Sequence, residues 1–293
     1  MSLPPEGNPR IPEGINTSAE HPLKEFFLLL VGVTATIIFV VIVLSVFAKV
    51  LAPHIPFEWE TTLSPAVMEY VGQPTIESDA PEREFALRKL SRSLLNSSLE
   101  INPEDDSEES TVPPEAFRFH LMEAGTPNAF ATLGGHIIIT DALLAEVVSE
   151  NGLAMVIAHE IAHIQLRHPI EAAGRGIVIQ LLLSAVLGSS GSGTPGGILF
   201  STSTFTVLGF NRDMETTADE RALLILRQHY GHVAGADEFF AAMEKDNTVE
   251  KWLEFSQTHP NTERRLVLIR KAMAQDAAHS ILTPLPQGLQ QVE

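Results

Sequence analysis

The longest apolar run, Phe26 to Ala48, holds 23 residues without a charged side chain. At 1.5 Å per residue it reaches about 34 Å, enough for a hydrocarbon core of about 30 Å. Lys24 and Lys49 bracket it, where their long stems can carry the charge to lipid headgroups. The pattern predicts one transmembrane anchor over 26–48. Residues 1–25, rich in Pro, Gly, Glu and Asn and lacking an apolar period, read as a disordered leader. A cleaved signal peptide is the rival, with Val46 and Ala48 as its cleavage signature. Its apolar core would normally run about 7–15 residues behind a basic leader, and this leader carries four Glu against one Arg and one Lys. Arg10, Lys24 and the amino terminus face Lys49 alone across the run, which favours a cytoplasmic N-terminus and places the rest on the extracytoplasmic, periplasmic side.

Beyond the anchor, residues 49–79 are Pro-interrupted and read as a linker. Ala80 to Asn96 sets Phe85, Leu87, Leu90 and Leu94 near one face of an amphipathic helix. Residues 102–114 are acidic and Pro-rich, as in a loop, and within them EDDSEE (104–109) reads as a solvated charge run. Alternation over Phe117–Met122 predicts a strand, and a second follows Gly134-Gly135 over His136–Thr140. Thr140 or Asp141 can cap a helix through Val148, and Asn151 can cap the next, Leu153 to about His168. No charge occurs between Arg175 and Arg212. The apolar part of that stretch, Ile177–Leu187, is too short to span a bilayer as a helix. It reads as a buried helix and flexible loop, or as a membrane-dipping or substrate-facing hairpin. The tail, 274–293, carries no readable pattern.

Composition narrows the chemistry. The chain has no cysteine, so disulfides and thiolate metal ligands are excluded. A net charge of −18 without a basic patch argues against nucleic-acid binding. Any transition-metal site must then use His, Asp or Glu.

Such a site is present in the pattern. His159-Glu160-Ile161-Ala162-His163 is an H-E-x-x-H on the helix from Leu153, and residues four apart share a helix face, so both imidazoles can meet one metal. Glu160 can act as general base toward a zinc-activated water. On the helix from Arg212, Glu215 and Asp219 are again four apart. Glu215 can complete a two-His, one-Glu catalytic site, and Asp219 can accept the N–H of a ligating imidazole. The chemistry needs one Zn²⁺ per chain and takes protein or peptide substrates.

With these motifs in hand, the chain resembles the gluzincin metallopeptidases that include HtpX and BepA. The likeness rests on the H-E-x-x-H at 159–163 and the E-x-x-A-D at 215–219. Asn128-Ala129-Phe130 leading into Gly134-Gly135-His136-Ile137, Leu143-Leu144, and His259-Pro260 with Arg265 six residues after the His add to it. It spans roughly Glu82 to Lys271. The resemblance implies an α+β fold that is mainly α, a protease domain over 80–273 with a small β element; the apolar run puts one transmembrane helix before it, where HtpX-type members have several, which makes this a minimal form. It implies His159, His163 and Glu215 as ligands, Glu160 as base, and membrane-associated, often damaged, protein substrates lying on a strand edge around Phe130–Ile138. It also points to His259, either as a donor to the oxyanion or as an inhibitory fourth ligand. Arg265 would orient the site, bind substrate carbonyls or make an ion pair. His136 and His168 read as surface or packing residues. The competing class is a zinc-bound scaffold that holds misassembled membrane proteins without cutting them; a structural zinc domain is a third. Oligomeric state is not legible.

Overall fold

The uncharged run lies within one helix, α1 (Pro22–Leu51), which extends past it at both ends. Its apolar side chains are largely exposed, Leu28 at 68% and Phe39 at 67%, a surface that water tolerates poorly. Thr36 donates its hydroxyl to Gly32 O at 2.8 Å, so this buried-in-lipid candidate leaves that polar group satisfied. The helix is long and apolar enough to cross a membrane. The computed structural model describes residues 22–51, 54–71, 81–101, 112–176, 210–245, 249–260, 262–276 and 281–290. These fall into two units, divided between Val43 and Leu44. The charge run 104–109 and nearly all of the uncharged stretch, 177–209, lie outside the described residues.

The stretch read as a linker contains a helix, α2 (Phe57–Val71), which carries Pro65 internally. Phe57, Glu60, Ser64 and Val67 are buried along one face of it. In α3 (Pro81–Leu99) the buried face is Leu87, Leu90, Ser91, Leu94, Leu95 and Ser98. Phe85 is 70% exposed, which corrects its placement with the leucines. Two residues along a helix turn through about 200°, so Phe85 and Leu87 cannot share a face.

Three short strands follow: β1 (Arg118–Met122), β2 (Ala129–Thr132) and β3 (His136–Thr140). The sheet order is β1-β3-β2. β3 runs parallel to β1 and antiparallel to β2, with Phe130 opposite Ile138. The four residues of β2 are too short to show an alternating period in the sequence. Because β3 is central and fully buried, only β2 of the 130–138 stretch is an edge strand among the described residues. The β2–β3 turn uses Gly134 and Gly135 at φ +78° and +80°. A Cβ on Gly135 would sit 2.4 Å from Ala116 O, so glycine is required twice over.

Thr140 caps α4 (Asp141–Glu146) by accepting from Leu143 N. Then comes the central helix, α5 (Glu150–Gln165). Its cap is Ser149, which accepts from Gly152 N, in place of the Asn151 expected from the sequence. Residues 151–165 are all buried, since α5 packs on α3, β2, α6 (Arg212–Tyr230) and α7 (Glu238–Lys245). Helices α8 (Val249–Thr258) and α9 (Thr262–Met273) follow. Residues 281–290, unreadable in sequence, bury Leu285 and Leu289 in the same core. Glu150 N donates to Thr283 O at 2.9 Å and Thr283 N to Asn151 Oδ1 at 2.7 Å, so this segment holds the first turn of α5.

Candidate metal and active site

Helix α5 presents His159 and His163 one turn apart, and their Nε2 atoms approach to 2.9 Å. Opposite stands α6, started by Asn211, whose Oδ1 accepts from Asp213 N and Met214 N. Small fully buried residues at the crossing, Ala158, Ala162, Ala218 and Ala222, let the two helices close. Glu215 therefore reaches both imidazoles, Oε2 to His159 Nε2 at 3.5 Å and Oε1 to His163 Nε2 at 3.4 Å. His259, just past the end of α8, joins them. Its Nδ1 lies 3.1 Å from Glu215 Oε1, and its Nε2 lies 3.2 Å from Ala129 O on β2 and 3.5 Å from Glu160 Oε1. One donor atom from each of His159, His163, Glu215 and His259 falls within a 4.8 Å cluster.

A second layer grips the first. Asp219 Oδ1 accepts from His159 Nδ1 at 2.9 Å. Arg265 forks onto Asp219, with Nε and Nη2 each donating at 2.8 Å. Its Nη1 touches Glu215 Oε2 at 2.7 Å, as an ionic contact outside hydrogen-bond geometry. Phe240 lies beneath the guanidinium, 4.8 Å from ring centroid to Cζ. The ion-pair role for Arg265 is the one seen. His168, read from the sequence as surface or packing, is buried with Nδ1 2.8 Å from His163 Nδ1. Phe210 stacks on the ring of His163, centroids 3.8 Å apart and planes 17° apart. Neither contact follows from spacing, because the residues reach His163 through a turn and through a segment distant in sequence.

Burial sets the electrostatics. Burial and the Arg265 charge oppose a proton on His159, but ion pairing and hydrogen bonding to Asp219 bring its pKa up to about 9. Burial, followed by the His159 charge, holds His163 well below the usual imidazole range. Metal binding at these two imidazoles would therefore release the extra proton from His159. Burial would raise Glu215, yet the His259 and Arg265 charges and the hydrogen bonds from His159 and His163 keep it ionised, well below the carboxylate range. Burial raises Glu160. Burial drives His168 down to about 3.

The donor set fits a divalent metal. Without the proton on His159, three buried carboxylates, Glu160, Glu215 and Asp219, face one buried guanidinium, and a divalent cation in place of that proton would balance them. Both carboxylate oxygens of Glu160 are buried without a hydrogen-bond partner, as suits a group that meets its partner only when a ligand arrives. Two imidazoles and a carboxylate suit zinc.

A second polar cluster lies where α2 meets the β2–β3 turn. Ser64 Oγ lies 2.8 Å from His136 Nε2, and His120 Nε2 lies 2.8 Å from His136 Nδ1. Glu60 Oε1 makes an ionic contact with Arg167 at 2.8 Å. His136 is therefore a buried, partnered residue and not a surface one.

Residues 93–273 match the profile of peptidase family M48. The chain is 32% identical over 154 residues to the mitochondrial metalloendopeptidase OMA1 of Schizosaccharomyces pombe, covering 51% of this chain and 44% of that one. It is 30% identical over 160 residues to the OMA1 of Saccharomyces cerevisiae, covering 51% and 45%. It is 26% identical over 174 residues to the beta-barrel assembly-enhancing protease of Yersinia pestis, covering 56% and 36%. The match thus spans less than half the length of these curated relatives.

Proposed function

This chain belongs to peptidase family M48, and from that premise we propose that it is a membrane-anchored zinc metalloendopeptidase cutting misfolded or membrane-associated proteins. The observation that carries the reading is the convergence of His159, His163 and Glu215 beside the carboxylate of Glu160, whose oxygens accept no hydrogen bond. His159, His163 and Glu215 would hold the metal. A bound zinc ion supplies Lewis acidity there, lowering the pKa of a water toward about 7 and polarising the scissile carbonyl.

Glu160 takes the proton from the attacking water and returns it to the leaving amine, and its raised pKa suits a group that does both. Asp219 keeps the His159 proton on Nδ1, so that Nε2 offers its lone pair. Arg265 offsets part of the charge that Glu215 and Asp219 hold in a dry interior. The edge of β2 would seat an extended peptide by strand addition. His259 has no exposed surface and shares the donor cluster, which supports the inhibitory fourth-ligand role over the oxyanion role in this closed arrangement. The catalytic unit lies on the extracytoplasmic side, as the flanking charges favour.

The test compares membranes from cells making wild type or Glu160→Gln. Uncut membrane proteins should accumulate with the variant and co-purify with it. A variant that restores every phenotype of a strain lacking the gene would instead establish the non-cleaving zinc scaffold.

A further inference from the structure

The two imidazoles on α5 are backed differently. Behind His159 stands the carboxylate of Asp219; behind His163 stands a third imidazole, His168. We propose that His168 is a positioning residue that fixes the tautomer and ring plane of His163 for the metal. The proposal rests on His163 being a ligand.

A hydrogen bond between two ring nitrogens needs one that carries hydrogen and one that does not. Nε2 of His163 faces His159 Nε2 and Glu215, so a metal there needs its lone pair. The hydrogen of His163 then sits on Nδ1 and is donated to Nδ1 of His168 at 2.8 Å. His168 must in turn carry its hydrogen on Nε2, which lies 3.5 Å from Thr217 Oγ1, at the outer limit of a hydrogen bond. Thr217 spends its own hydrogen on Met214 O at 3.0 Å or Asp213 O at 3.1 Å, leaving an oxygen lone pair to receive His168. Each imidazole proton in the series has one place to be. The series ends on α6, the helix that bears Glu215, so it ties the two ligand-bearing helices together. Stacking of Phe210 on the face of His163 completes the restraint.

The chain makes a local sacrifice to put His168 there. On an unbroken helix, five residues turn through about 500°, which leaves positions 163 and 168 about 140° apart. Instead α5 ends at Gln165, Arg167 takes a left-handed φ of 61°, and helix resumes over 168–176 with Pro169 in its first turn. A non-glycine residue in that region is strained, because its Cβ crowds the following carbonyl oxygen. Contacts from Arg167 to Glu60, to Ile55 O at 2.7 Å and to the Phe57 ring hold it in place.

The test measures zinc affinity by chelator competition, and the visible spectrum after cobalt substitution, on the full chain in detergent. His168→Leu removes the acceptor; His168→Asn keeps an acceptor near the Nδ1 position. The leucine variant should bind zinc about 10–100-fold more weakly with an altered cobalt spectrum, and the asparagine variant within about threefold of wild type. Wild-type affinity and spectrum in His168→Leu would overturn the proposal, as would equal losses in both variants, which simple packing predicts. If the leucine variant does not fold, Thr217→Val decides, since it frees the His168 tautomer from outside the imidazole pair. It should weaken zinc binding several-fold, and unchanged affinity overturns the proposal. Failure of the underlying reading looks different: His163→Ala would then bind zinc as tightly as wild type.

Discussion

At the scale of single residues, the site is held by one buried cation. Arg265 is paired with Asp219 through two hydrogen bonds and with Glu215 through an ionic contact. Removing it strands two buried carboxylates. Arg265→Ala should cost about 3–5 kcal/mol of stability, measured by denaturant unfolding of chelator-treated protein. Arg265→Lys should recover only part of it, because an ammonium cannot fork onto Asp219 while reaching Glu215. Equal stability of all three proteins would show that the network does not matter to folding. The proposed ligand residues are legible in sequence because a helix converts a spacing of four into a shared face, and that holds on both α5 and α6. His168 is not legible that way. It comes to His163 only through the left-handed turn at Arg167, a conformation no residue-type preference announces.

At the scale of elements, long periodic segments are readable and short ones are not. α3 and α6 show their buried faces at helical spacing. By contrast, β2 has four residues, Pro65 disguises α2, and the segment 281–290 is fixed by backbone hydrogen bonds to α5 that leave no periodic trace. The contact between α2 and the sheet carries a pH signature. Burial, then the charges of His120 and Arg118, lower the pKa of His136 to about 4. The unfolded chain takes up a proton below about pH 6.5, whereas folded His136 refuses it until about pH 4. Its contribution to stability is therefore complete above 6.5 and declines as pH falls toward 4. Thermal unfolding of chelator-treated protein should show a steeper loss over that window for wild type than for His136→Gln. Parallel curves would mean that His136 is protonated in the folded chain.

At the scale of the whole molecule, one apolar helix precedes a family M48 peptidase unit, in a chain of net charge −18. The apolar helix is legible in sequence because a run of that length without charge has few other uses than crossing a bilayer. Its orientation is carried by three positive groups against one, a thin margin that experiment should decide. The protein should stay with membranes through alkaline carbonate extraction, and a C-terminal tag should be digested by protease added from the extracytoplasmic side. A tag that survives until the membrane is breached places the catalytic unit in the cytoplasm. The central claim is that His159, His163 and Glu215 hold one zinc ion beside Glu160 as base. Its most direct test is zinc content and cleavage of an unfolded protein, measured together on purified wild type and Glu160→Gln. The account predicts one zinc per chain in both and a loss of cleavage of about 10²–10⁴-fold in the variant. Cleavage by Glu160→Gln at the wild-type rate with full zinc would contradict it.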